Sequence, residues 1–236
     1  MKYTWTSVTA VGHVREMNED SVHPMVDGHG AGPAVIAVAD GMGGAVAGEV
    51  ASRLAIVAAA EDGATGALAR ISRGNRAVLD AVDNDPSLTG MGTTMTLVIL
   101  HPNGALEGAH VGDSRAYLFR DGTLSQLTTD HTFVAEMIAL GRITPAQAAT
   151  HPRRHMLTRV VGTQDMEADS FEIEMEAGDR ILLCSDGLTG MVTDRSISLL
   201  LAAASNPNEA AWSLVEAANK AGGLDNTTVA VVDVTA

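Results

Sequence analysis

Most apolar positions along the chain recur with the period of a helix or alternate as in a half-buried strand, but two runs do neither. Ala34-Val-Ile-Ala-Val-Ala39 and Ile181-Leu-Leu-Cys184 are unbroken, which predicts strands covered on both faces, and each runs into an Asp-Gly pair, Asp40-Gly41 and Asp186-Gly187. Around these, Tyr3 to Ala10 reads as a first strand, Ser21 to Val26 as a returning strand and Asp27 to Pro33 as a turn. Gly48 to Ala60 and Ala67 to Val82 carry helical spacing. Thr93 to His101, Leu106 to Val111, Arg115 to Arg120 and Thr123 to Leu127 are strand-like and joined by short turn-rich connections, so an antiparallel meander is expected. Short helices from Phe133 to Leu140 and from Thr144-Pro145 look like an insertion over the sheet. Phe171 to Glu176 alternates as an exposed strand, Thr193-Asp194 and Pro207 open two helices, and Thr227 to Val234 is a last apolar strand. Strands outnumber helices and the helices come in pairs. The expectation is one α+β domain over 1–236, two antiparallel sheets face to face with helices outside.

Composition narrows what this sandwich can do. Aromatic residues are 3% of the chain, so Ala, Val, Leu, Ile and Met must fill the core. A net charge of -14 disfavours nucleic acid or an anionic membrane as partner, and no apolar run approaches the ~20 residues of a membrane span. The single cysteine, Cys184, excludes an intrachain disulfide and reads as a core residue in a reducing compartment. The start of the chain has no signal-like apolar region, and a soluble cytoplasmic protein is expected.

Candidate chemistry rests on aspartates. Asp20, Asp40, Asp186 and Asp225 all fall in loops or at strand ends, and all but Asp20 adjoin glycine or follow a glycine-rich turn. Asp-Gly is also a common turn signal, and Asp121-Gly122 reads as a plain hairpin. Oxygen-only donor sets suit Mg²⁺ or Mn²⁺ rather than zinc. Two such ions roughly 4 Å apart can share a hydroxide and aim it at phosphorus. Arg15, close to Glu19 and Asp20, is the candidate cation for phosphoryl oxygens, against a bland reading as a surface ion pair with Glu16 or Glu19.

The pieces Gly12-His-Val-Arg-Glu-Met-Asn-Glu-Asp20, Val38-Ala-Asp-Gly-Met-Gly-Gly44, Gly48-Glu49, Gly92-Thr-Thr94, His110-Val-Gly-Asp-Ser-Arg-Ala-Tyr117, Leu127-Thr-Thr-Asp-His131, Leu157-Thr-Arg-Val-Val-Gly162, Cys184-Ser-Asp-Gly-Leu188 and Asp225-Asn226 run in order over nearly the whole chain. Together they resemble the metal-dependent protein serine/threonine phosphatases of type 2C, in particular the compact bacterial members. The resemblance implies a four-layer α-β-β-α sandwich and two tightly bound Mn²⁺ or Mg²⁺ ions, with a third, weaker one. It implies Asp40 as the bridging ligand with the Gly41 carbonyl on one ion, Asp186 and Asp225 on the other, and Asp20 and Glu19 holding the centre directly or through water. Asn226 would support the site, Arg15 would bind the substrate phosphate, Asp130 would help hold the third ion, and residues 131–156 would form the family's flap.

Two departures bear on proton delivery. Many bacterial relatives place histidine where this chain has Ala45, and the animal enzymes place histidine where it has Met42. A metal-bound water could replace that acid, and His101, His110 and His131 read as structural. The alternative to an enzyme is a catalytically weak phosphoprotein-binding module on the same fold, whose mark would be a missing carboxylate. A nuclease is disfavoured by the charge and the lack of a basic stripe. The expected partners are phosphorylated proteins, targets of a separate Ser/Thr kinase, and the expected state is a monomer.

Overall fold

The computed structural model describes residues 1–43, 47–63 and 65–236. Gly44 and Ala45, at the end of the first glycine run, lie outside the described residues. One six-stranded sheet contains β1 (Lys2–Ala10), β3 (Gly28–Gly30), β8 (Arg115–Arg120), β9 (Thr123–Gln126), β11 (Arg180–Cys184) and β12 (Thr227–Thr235), in the order β3-β1-β12-β11-β8-β9. The other contains β2 (Asp20–His23), β4 (Ala34–Met42), β6 (Met95–Leu100), β7 (Ala105–Val111) and β10 (Asp169–Glu174), in the order β10-β7-β6-β4-β2, with the short β5 (Gly92–Thr93) against the end of β4. All these pairings are antiparallel.

The unbroken apolar runs are explained by two-sided burial. Along β4, Ile36 and Val38 point into the core between the sheets while Ala37 and Ala39 meet α1 (Ala47–Ala60) and α2 (Ala67–Asn84). Along β11, Ile181 and Leu183 enter the same inter-sheet core while Leu182 and Cys184 meet α6 (Asp194–Ala203) and α7 (Pro207–Lys220). Three apolar layers therefore separate four structural ones, the expected α-β-β-α sandwich. The helix starts follow capping chemistry: Thr193 accepts from Ser196 N–H and Asn206 from Glu209 N–H, with Pro207 at the first position of α7. No described helix is long and apolar enough to cross a membrane.

Two local expectations are corrected. The meander is broken: β7 pairs with β6 and β10, β8 with β9 and β11, so Gly112-Asp-Ser114 carries the chain from one sheet to the other. The stretch read as a turn from Asp27 to Pro33 contains β3, whose Gly28 lies under the Trp5 ring, where a Cβ would come within 2.5 Å. Asp121 and Gly122, with φ of 51° and 76°, do form the hairpin turn between β8 and β9.

Between β9 and β10 lie α3 (Phe133–Ala139) and α4 (Pro145–Ala149). This segment is pinned at its base, where Phe133 N–H donates to the Met156 carbonyl at 2.9 Å and Thr158 N–H to that of His131 at 2.9 Å.

Candidate metal centre

The four aspartates come from segments far apart in sequence that meet at one end of the sandwich. Asp20 and Asp40 are direct cross-strand partners on β2 and β4. Asp186 opens the single-turn α5 (Asp186–Thr189) just past β11, and Asp225 precedes β12, the neighbour of β11. The end of β4 is fixed by Thr94, whose hydroxyl accepts from Asp40 N–H at 2.9 Å and whose N–H donates to the Asp40 carbonyl at 2.8 Å. Gly41 is required by close approach, since a Cβ there would collide with the Gly48 carbonyl at the start of α1. Asn226 ties the first loop to the site: its side chain donates to the carbonyls of Val11 at 2.9 Å and Met17 at 2.8 Å and accepts from Glu19 N–H at 2.8 Å.

Electrostatically the cluster is unbalanced. Burial, opposed by the nearby hydroxyls of Thr228 and Ser185, pushes Asp20 up to about 7, and the charges of Asp186 and Asp225 add to the rise. Asp40 is pushed well above the usual carboxylate range by burial and then by Asp20, Asp186, Asp113 and Asp225. Burial and Asp225 likewise raise Asp186. Ser185 donates to Oδ2 of Asp20 at 2.8 Å, while Oδ1 is buried with no partner among the described residues. Arg15 sits at the rim, donating to Asp225 at 2.9 Å with Glu19 at 3.8 Å, so its surface-pair reading is only half of its environment.

Asp130 behaves differently. Both its oxygens accept from Arg115, at 2.8 and 2.7 Å, and the cap of α3 is Thr132 rather than Asp130. Asp113, quoted above only as part of a turn-like motif, lies within the influence of the cluster: burial and then Asp186 and Asp130 raise it to about 7. It became a site residue because the chain changes sheets there. His155 is a second residue passed over in sequence, with Nδ1 3.9 Å from Asp186. His131 accepts from Gly112 N–H through Nδ1, which leaves Nε2 to donate to Asp169, and it stacks on buried His110 at 4.8 Å. Those two rings are structural.

Among the described residues no group of three or more His, Cys, Asp or Glu side chains is close enough together to hold a metal ion as it stands. The donor chemistry nevertheless fits a hard divalent cation. Carboxylates buried side by side raise one another's energy, and the unpartnered Asp20 oxygen is a hydrogen-bonding vacancy that protein groups do not fill.

A model of the protein phosphatase 2C family matches residues 11–219. The chain belongs to this family. It is 45% identical over 233 residues to the serine/threonine protein phosphatase PstP of Mycobacterium tuberculosis, covering 94% of this chain and 43% of that protein. This type 2C chain thus spans less than half the length of that relative. Serine/threonine phosphatase stp of Listeria welshimeri is 37% identical over 237 residues, covering 94% of this chain and 92% of the relative. The crystal structure of M. tuberculosis PstP/Ppp superposes with a TM-score of 0.91 at 40% identity, covering 100% of both chains. The PstP catalytic domain in complex with two manganese ions superposes at 0.88, also at 40% identity, covering 100% of this chain and 99% of that one. The type 2C sandwich expected from the motifs is therefore the fold observed, and all the carboxylates that the binding-module alternative would have lost are present.

Proposed function

We propose that this chain is a protein serine/threonine phosphatase that requires Mn²⁺ or Mg²⁺, working as one catalytic domain. The observation that carries the reading is the cluster of aspartates Asp20, Asp40 and Asp186, which raise one another's energy and meet cationic groups only at their rim, Arg15 beside Asp225 and His155 beside Asp186. The PstP catalytic domain, with its two manganese ions, supports the same reading. Asp40, the Gly41 carbonyl, Asp186 and Asp225 would hold two ions, with Asp20 and Glu19 around them. Such cations supply Lewis acidity toward the phosphoryl group and lower the pKa of water. A third, weaker ion would draw on Asp186 and Asp113, with Asp130 acting from behind through Arg115.

The chain's own groups then position the substrate. Arg15, held by Asp225 and Glu19, offers guanidinium N–H groups to phosphoryl oxygens beside the acids. Asn226 keeps that loop over the centre. The substrates would be phosphoserine and phosphothreonine proteins made by a separate kinase, and the working unit a monomer. Metal-stripped protein should hydrolyse neither a phosphoserine peptide nor an aryl phosphate, and adding Mn²⁺ should restore both, with about two ions bound by calorimetry. Full turnover in the stripped protein would overturn the reading.

A further inference from the structure

We infer that the cleft beside the carboxylates binds an apolar side chain of the substrate, carried within two residues of the phosphorylated one. The inference rests on the phosphatase reading above. A cavity of about 580 Å³ runs from Asp186 and Asp225 to the helices of the 131–156 segment. Apolar side chains make up much of the rest, Val134 and Ile138 from α3, Ala148 from α4, Met191 and Leu224, alongside the polar Asp113 and His155. Arg115 and Asp130 also line it, but they neutralise each other through two hydrogen bonds.

The occupant follows from continuity with the site. Leu224 is the residue before Asp225, about 3.8 Å away along the backbone, and Met191 directly follows Gly190, whose N–H donates to the Asp186 carbonyl at 2.7 Å. An extended substrate advances about 3.3 Å per residue, so a side chain one or two positions from the phosphoresidue reaches this wall. Leu224 is 53% exposed, an apolar surface in a concave site that substrate carbon can cover. Arg154 lines the cleft as well, and it would favour an acidic side chain if charge rather than apolar area set the choice.

The test compares phosphoserine peptides that differ only in carrying Leu, Ser or Glu at each of the four positions flanking the phosphoresidue, with Mn²⁺ present. At one or more of these positions kcat/KM for Leu should exceed that for Ser roughly tenfold, the gain expected from burying one aliphatic side chain. Ile138→Asn should bring that ratio near unity and leave aryl phosphate hydrolysis unchanged. Met191→Gln should do the same without relying on α3. Equal values for Leu and Ser everywhere, a preference for Glu, or an undiminished ratio in both variants would overturn the inference alone. Absence of Mn²⁺-dependent hydrolysis of every peptide would overturn the phosphatase reading and this one with it.

Discussion

At one end of the sandwich Asp179 and Asp233 are each gripped by an arginine; at the other, Asp20, Asp40 and Asp186 face one another. Arg120 donates twice to Asp179, at 2.7 and 2.6 Å, and Arg180 twice to Asp233, at 2.5 and 2.8 Å. The same strands serve both ends, since β11 begins at Arg180 and delivers Asp186, and β12 follows Asp225 and carries Asp233. Over about 20 Å of strand, the carboxylates change from neutralised to mutually repelling. A fold that needed aspartates only for structure would pair them at both ends. The contrast therefore separates carboxylates that hold the fold from those that, on the function proposed above, the fold holds for a cation.

The largest test of that contrast is Asp40→Asn. It should lower kcat with Mn²⁺ by at least about a thousandfold, on the order of 4 kcal/mol, while the metal-free Tm stays the same or rises because a repelling charge is gone. A fall in metal-free stability with unchanged kcat would show that Asp40 is structural. At the opposite end Arg180→Leu should act in reverse. It strands Asp233 and removes the bonds to the Leu201 and Ala204 carbonyls, so about 3 kcal/mol of stability should disappear with and without metal. Urea denaturation of both forms measures it, and a loss confined to the metal-loaded form would erase the distinction.

How much of this was legible in sequence follows the reach of each signal. The apolar runs into Asp40 and Asp186, the helix starts at Thr193-Asp194 and Pro207 and the turn at Asp121-Gly122 are local patterns, and each appears where the pattern put it. Sheet membership is not local. Gly112-Asp-Ser114 has the same turn-forming residues as Asp121-Gly122, yet one crosses between sheets and the other closes a hairpin, because long-range pairing decides. Asp113 was therefore overlooked as part of the cluster. The strand Gly28-His-Gly30 was missed for the opposite reason: its residues are poor strand formers, and it exists through pairing with β1 under Trp5. Nor does any spacing announce that Arg115 would take both oxygens of Asp130.

A pH scan sharpens the same comparison. Burial and neighbouring charges raise Asp20 and Asp113 to about 7, so the folded chain binds these protons more tightly than the unfolded chain does. Stability from this source is complete below about pH 4 and is lost as pH rises through about 7. His110 works the other way: burial, then His131, lower it to about 4, so its contribution is present above about pH 6.5 and is lost as pH falls toward 4. Metal-free protein should accordingly be more stable at pH 6 than at pH 8, by about 2 kcal/mol or several degrees in Tm. Saturating Mn²⁺ should flatten or reverse that slope, because cations bind the deprotonated carboxylates. Calorimetric scans at the two pH values decide it, and a metal-free Tm that rises from pH 6 to pH 8 would contradict the repelling cluster.

The finest test is Asp130, which stands at the acidic end but is paired in the manner of the far one. If pairing rather than position decides what a carboxylate does, Asp130→Asn should weaken the Arg115 clamp and lower stability by about 1 kcal/mol, alike with and without Mn²⁺. Arg115 would keep its bonds toward Tyr117 and Asp194, which limits the loss. Mn²⁺ stoichiometry and affinity should then hardly change, whereas Asp113→Asn should weaken the third ion and raise metal-free stability, since Asp113 is pushed up by burial and then by Asp186 and Asp130, with Arg115 opposing that only weakly. Calorimetric Mn²⁺ titration of the two variants side by side separates the cases. Should Asp130→Asn raise the metal-free Tm and remove the weak ion, position outweighs pairing, and Asp130 belongs with the ligands after all.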